Sequence, residues 1–183
     1  MTRIFLPLSI LSLLAMGATL ALGLRIGNAA APDQAGPVSV HLLSGMATIV
    51  FSLLVHALVL TYFLGTGRWL EETCNAYRLE PTYLAENRTL KWRIYPLMTV
   101  CLLLLIATGA FGAAADPASA VGFRGWGSLS AAHIHLLISV TTLALNMGAY
   151  GWEYLALRRN GELVTEVLSH VRRIRTDRGL PVD

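Results

Sequence analysis

The chemistry available to this chain rests on five histidines: His41, His56, His133, His135 and His170. Imidazole is the commonest metal ligand and the one side chain that titrates near neutral pH. An ionisable group inside a bilayer is costly enough to be a functional candidate by default. His41 and His135 open the second and fourth of four long apolar stretches. Two imidazoles projecting at one depth from facing helices can serve as the axial ligands of a b-type haem. Small neighbours, Ser44 and Gly45 on one stretch and Ala131 and Ala132 on the other, would let a flat macrocycle approach the backbone. His56 lies fifteen residues beyond His41, about 22 Å deeper on a helix and about 60° round it. It marks a second site, with Met147 as a thioether candidate that sits off the polar face.

The same residues support other chemistry. His133-Ile134-His135 together with His41 could offer three imidazoles to copper or zinc, with Asp33 or Asp116 joining from the loops. The H-x-H spacing suits a strand better than a helix, where ligands want i, i+3 or i+4. His56, Asn146, Tyr150 and Glu153 could form a polar relay along the bundle axis. The plainest reading needs no ligand at all. His41, His133 and His135 then face headgroups and water, and His56 is interhelical glue, worth about 0.6 kcal/mol on average. The protein would be a non-catalytic membrane accessory or scaffold. His170 reads as a solvated surface histidine.

Composition sets the scaffold. The chain is 55% hydrophobic and 14% charged, against ~25% charged in soluble domains. A span needs ~20 apolar residues to cross a hydrocarbon core ~30 Å thick. Four stretches qualify, at about 4–24, 40–64, 94–114 and 131–157. The expected fold is all-α: an integral membrane four-helix bundle over residues 1–157, connected up-down-up-down by short loops. Residues 158–183 form a cytoplasmic tail with an amphipathic helix.

Basic residues orient the bundle. Arg3, the group Arg68, Arg78, Arg88, Lys91 and Arg93, and the group Arg158, Arg159, Arg172, Arg173, Arg175 and Arg178 lie on one side, leaving Arg25 and Arg124 on the other. The positive-inside rule then puts both termini in the cytoplasm of a bacterial-type inner membrane. The first stretch also resembles a cleavable secretory signal. Signal cores run ~7–15 apolar residues, and one nearer twenty favours an uncleaved helix. Cys74 and Cys101 make no disulfide framework and are read as reduced.

Small and polar residues mark the faces where membrane helices meet. Ser9, Ser12, Met16, Thr19 and Gly23 form such a stripe on span one. His41, Gly45, Thr48, Ser52 and His56 form it on span two, and His135, Ser139, Thr142, Asn146, Ala149 and Glu153 on span four. Span three is weaker, with Cys101, Leu105, Thr108 and Gly112. The arrangement is similar to that of membrane cytochromes b, where histidines from two helices of a four-helix bundle hold stacked haems. A second histidine on span four is missing, and no motif of that family is present.

Elsewhere, Arg68–Leu79 reads as a short interfacial helix and Asn160-Gly161 as a break after span four. Leu163, Val167, Leu168, Val171 and Ile174 recur at helical spacing. That stripe could pack under the bundle, form a homodimer, meet a membrane partner, or lie on anionic lipid through Arg172, Arg173 and Arg175. No internal repeat, nucleotide motif or nucleic-acid signature is apparent.

Overall fold

The computed structural model describes residues 1–181 and is built from four long helices. They are α1 (Thr2–Leu24), α2 (Ala35–Tyr77), α3 (Thr82–Ala115) and α4 (Ala131–Asp177). All four are long and apolar enough to cross a membrane. Their outward faces carry Leu14, Leu43, Val50, Leu54, Leu103 and Leu137, all exposed, while serines, threonines, asparagine and histidine turn inward. This polar-in, apolar-out pattern inverts that of a soluble bundle and is what lipid requires.

Loop chemistry closes each helix. Arg78 ends α2 in the left-handed region, with its N–H on the Cys74 carbonyl, and Pro81 then starts α3. Ser130 caps α4 by accepting the His133 N–H. Between α3 and α4 the chain makes a two-stranded hairpin, β1 (Gly125–Trp126) and β2 (Leu129–Ser130). Phe111, Phe123 and Trp126 meet edge-to-face beside it.

Hydrogen bonds set the register. Ser12 meets Ser52, and Thr19 meets both Thr48 and His41, so α1 and α2 pair in reverse order. Thr108–Thr142 and Asn87–Asn160 do the same for α3 and α4. His41 beside His135 and His56 beside Asn146 set α2 and α4 in the same direction.

Two sequence expectations fail on helix length. The chain does not break at Asn160-Gly161, and Arg68–Leu79 is not a separate interfacial helix. α2 has 43 residues and α4 has 47, about 64 and 70 Å at 1.5 Å per residue. Both run well past a hydrocarbon core ~30 Å thick. Packing explains the continuity. Leu70 and Cys74 of α2 are buried, and Leu70 clusters with Leu163, Val167 and Val171 of α4. Trp69, Tyr77, Leu79, Tyr83 and Leu84 close over this cluster. Leu163, Val167 and Val171 of the tail's apolar stripe are therefore covered by the chain's own α2, while Leu168 stays exposed. Cys74, expected in a loop, lies in a helix; both cysteines are free and buried.

At the junction between bundle and extension, Asn160 is fully buried. It accepts from Asn87 Nδ2 at 2.7 Å and donates to Thr66 Oγ1 at 2.9 Å, tying α2, α3 and α4 together. Arg159 adds ion pairs to Glu86 and Glu166, which hold its guanidinium above the ordinary arginine range. Asn160→Leu strands the partners on both sides. It is expected to cost about 1–3 kcal/mol, read as a lowered thermal midpoint in detergent with helicity unchanged below it.

A correspondence between the two halves corrects the expectation of no internal repeat. In α1 the buried residues are Phe5, Ser9, Ser12 and Met16. Their counterparts 89 positions later, Ile94, Met98, Cys101 and Leu105, are the buried residues of the spanning part of α3. In α2 the buried residues Thr48, Ser52, Val55, His56, Val59 and Phe63 match, 94 positions later, Thr142, Asn146, Ala149, Tyr150, Glu153 and Leu157 of α4, again all buried. Pro7 and Pro96, each inside its helix, fall in the same correspondence. The bundle is two helical hairpins of one design.

Candidate functional site

The two hairpins agree in chemistry as well as burial at one place. Thr19-x-Ala21-x-Gly23 of α1 corresponds to Thr108-x-Ala110-x-Gly112 of α3. His41-Leu42-Leu43 with Thr48 on α2 corresponds to His135-Leu136-Leu137 with Thr142 on α4. In the first hairpin the His41 ring lies against Gly23, where an added Cβ would stand 2.8 Å from Cε1. In the second the His135 ring lies against Gly112, where an added Cβ would stand 3.0 Å from Cε1. Each glycine is the niche for a ring on the next helix. Below each ring a threonine pair joins the helices, Thr19–Thr48 at 3.0 Å and Thr108–Thr142 at 2.8 Å.

His41 Nδ1 lies 3.1 Å from the Thr19 carbonyl oxygen. A carbonyl only accepts, so Nδ1 carries the proton and Nε2 keeps a free lone pair. Donating the other ring N–H to a backbone carbonyl is how proteins orient a histidine that ligates through its second nitrogen. In the second hairpin the equivalent Thr108 carbonyl approaches His135. His135 Nδ1 is nevertheless buried without a hydrogen-bond partner.

The two rings stand 6.1 Å apart, centre to centre, inclined by 74°. They line a partly open cavity of about 410 Å³ to which all four helices contribute, with Gly45, Gly109, Met16 and Leu105 among its walls. Such a volume is within the ~300–1,000 Å³ of small-molecule and cofactor sites.

The remaining candidates do not join the ring pair. His133 is exposed at the start of α4, lines the same cavity, and has Nδ1 bonded to Ser130 Oγ at 2.7 Å. The structure does not assemble the His41, His133 and His135 triad: among the described residues no group of three or more His, Cys, Asp or Glu could hold a metal ion. Asp116 reaches the cavity rim, while Asp33 bonds Gln34 in the first loop. Met147 is 64% exposed on the outer face, out of reach of the axis. His170 is exposed and meets the Tyr83 hydroxyl at 2.9 Å.

His56 is fully buried, and both its nitrogens are taken, Nδ1 by Glu153 and Nε2 by Asn146, each at 2.8 Å. It has no lone pair free for a metal, and the polar residues that surround it are those the sequence singled out as a relay. Sequence reasoning missed Gly23, Gly112, Thr19 and Thr108 as parts of the histidine site, having read them only as packing positions. The paired T-x-A-x-G and H-L-L-x₄-T patterns were the signal that could have found them.

The chain matches no family model, no curated protein and no solved structure.

Proposed function

We propose that this is an integral membrane redox protein that binds one haem b between His41 and His135. The observation that carries the reading is the 6.1 Å separation of two equivalent imidazoles over a 410 Å³ cavity. Two imidazoles on opposite sides of one metal ion, each ~2.0–2.1 Å from it, have ring centres about 6 Å apart, whereas two on adjacent tetrahedral corners have them about 5 Å apart. The separation favours opposed ligands over a tetrahedral zinc site. A bare ion held between two rings needs no cavity, and the volume beside the rings favours a larger group. The Nδ1 of His135, buried without a partner, stands where the other hairpin has the orienting bond of His41 to the Thr19 carbonyl.

In this reading His41 and His135 hold the group from both sides and Thr19 fixes the tautomer of His41. Gly23 and Gly112 seat the rings, and Leu105, Met16 and Ile49 exclude water. When bound, haem b supplies one-electron transfer at its iron. The proposed setting is an up-down-up-down bundle in a bacterial-type cytoplasmic membrane with both termini inside. The Lys and Arg distribution supports this orientation, and Trp92, 73% exposed, suits the headgroup belt.

The test is the absorbance spectrum of detergent-purified protein from haem-supplied cells, before and after dithionite. A sharp reduced α-band is the expected result. A colourless protein overturns the reading and leaves the non-catalytic scaffold. A smaller prediction uses the glycine niches. Gly23→Val or Gly112→Val pushes a histidine ring out of place and is expected to cut haem occupancy at least ~10-fold, the effect of losing orienting contacts around a metal ligand. Gly17→Ala, where an added Cβ meets nothing within 4 Å, is expected to leave it unchanged. Haem-to-protein absorbance ratios check both.

A further inference from the structure

Along the bundle from the histidine site, the two hairpins stop matching in chemistry while still matching in burial. The first supplies Ser12, Ser52, His56 and Val59; the second, at the equivalent positions, supplies Cys101, Asn146, Tyr150 and Glu153. These unlike groups close on one another. Asn146 donates its amide N–H to the Thr142 carbonyl at 2.7 Å, so its oxygen accepts and His56 Nε2 carries a proton. His56 Nδ1 lies 2.8 Å from Glu153 Oε1. A second proton must sit between these two atoms, because without it a lone pair would face a carboxylate. Glu153 is 1% exposed, and its other oxygen, Oε2, is buried with no partner.

The surroundings complete the site. The Tyr150 ring lies 4.9 Å from the His56 ring, and its hydroxyl meets Ser12 at 2.9 Å. Ser12 in turn meets Ser52 at 2.7 Å. α3 contributes Cys101, fully buried at the equivalent of Ser12; α1 contributes the Ser12 hydroxyl. A packed core needs none of these ionisable groups, and the first hairpin has valine where the second has Glu153. Burying a carboxyl here is expensive unless its charge is managed.

We propose that Glu153 is a proton-loading site for the electron carried between His41 and His135, a role that rests on the haem reading. When an external one-electron reductant reduces the group held by His41 and His135, Glu153 Oε2, the acceptor left without a donor, would take up a proton from a solvent hydronium ion, whose O–H bond breaks as the new one forms. His56 and His41 share α2, Glu153 and His135 share α4; over about 22 Å, at an effective dielectric of ~20, a unit charge at one site shifts affinity for a unit charge at the other about 3- to 4-fold.

The experiment is a spectroelectrochemical titration of the holoprotein at several pH values. In wild type the midpoint potential is expected to fall by about 30 mV in all as pH rises through the titration of Glu153, the 3- to 4-fold coupling converted at ~59 mV per tenfold. Glu153→Gln keeps the shape but takes no proton, and is expected to flatten this slope with the absorbance spectrum unchanged. A coloured wild type with a pH-independent potential, or a Glu153→Gln variant that keeps the slope, overturns the loading role alone. A colourless wild type overturns the haem reading and this role together. Reduced-minus-oxidised infrared spectra of wild type carrying ¹³C-labelled glutamate need no variant. A protonated-carboxyl band that shifts with the label is expected, and its absence overturns the proposal.

Discussion

Alanine at His41 or at His135 removes the sharp α-band of the reduced protein, and alanine at both leaves no bound pigment. The two single variants should behave alike, because the hairpins present their rings in equivalent ways, each seated on a glycine and each above a threonine pair. In the haem reading, losing one imidazole would remove one of the two residues proposed to hold the group, leaving it more weakly held and with an altered spectrum. Losing both removes all direct bonding, and a cavity of about 410 Å³ keeps only apolar contact. Helicity should be unchanged in all three variants, since neither ring is needed for a packed core: both are half-buried at one end of the bundle. His133→Ala is the internal control. Its ring is exposed and bound to Ser130, and its loss should leave the spectrum as in wild type. If the double variant keeps the parent's absorbance, the ligand assignment is wrong. If parent and variants are all colourless and equally folded, the scaffold reading stands.

The spans and their inward faces were legible because lipid imposes a strong rule on sequence. Nearly every residue of the polar stripes is buried or half-buried between helices, and His41 and His135 could be placed at one level by counting turns. Helix ends were less legible. Asn160-Gly161 carries the local signature of a break, yet Asn160 is satisfied by Asn87 and Thr66. A Cβ at Gly161 would meet only the Tyr62 hydroxyl, at 3.9 Å. Tertiary hydrogen bonding overrides a weak local preference there. In the same way Leu70 reads as an interfacial residue until its partners on α4, far away in sequence, are known.

The correspondence of the two halves was hidden for a different reason. Gly23 and His41 are 18 positions apart, Gly112 and His135 are 23. The additional five residues fall in the connection that forms the β1–β2 hairpin. No single period therefore aligns both helices of a hairpin with their counterparts. What the halves share is mostly burial rather than identity, and a buried position accepts Ser12 or Cys101, Ser52 or Asn146, according to what it faces. Identity survives at the Gly, Thr and His that seat and aim the rings, and also at Pro7 and Pro96, Leu13 and Leu102, and Leu14 and Leu103, away from them.

The divergence below the histidines predicts the largest stability effect in the molecule. His56→Ala is expected to cost about 3–5 kcal/mol, the usual result of removing one member of a buried pair. The loss has identifiable parts. Glu153 Oε1 and Asn146 Oδ1 each lose their donor, Glu153 Oε2 is already without one, and the Tyr150 ring loses the imidazole 4.9 Å away. Both side chains are closed off from bulk solvent in the intact bundle. Replacing both members with apolar residues of similar volume, His56→Leu with Glu153→Met, is expected to recover most of the loss, since buried pairs replaced together are often neutral or stabilising. Unfolding of detergent-solubilised protein by denaturing surfactant, followed by circular dichroism, reads all three proteins on one scale. A single variant as stable as wild type would mean the pair carries little of the bundle's stability. Recovery in the double variant would mean that folding does not need the polar groups, and that the bundle keeps a histidine and a glutamate there for the proton they hold.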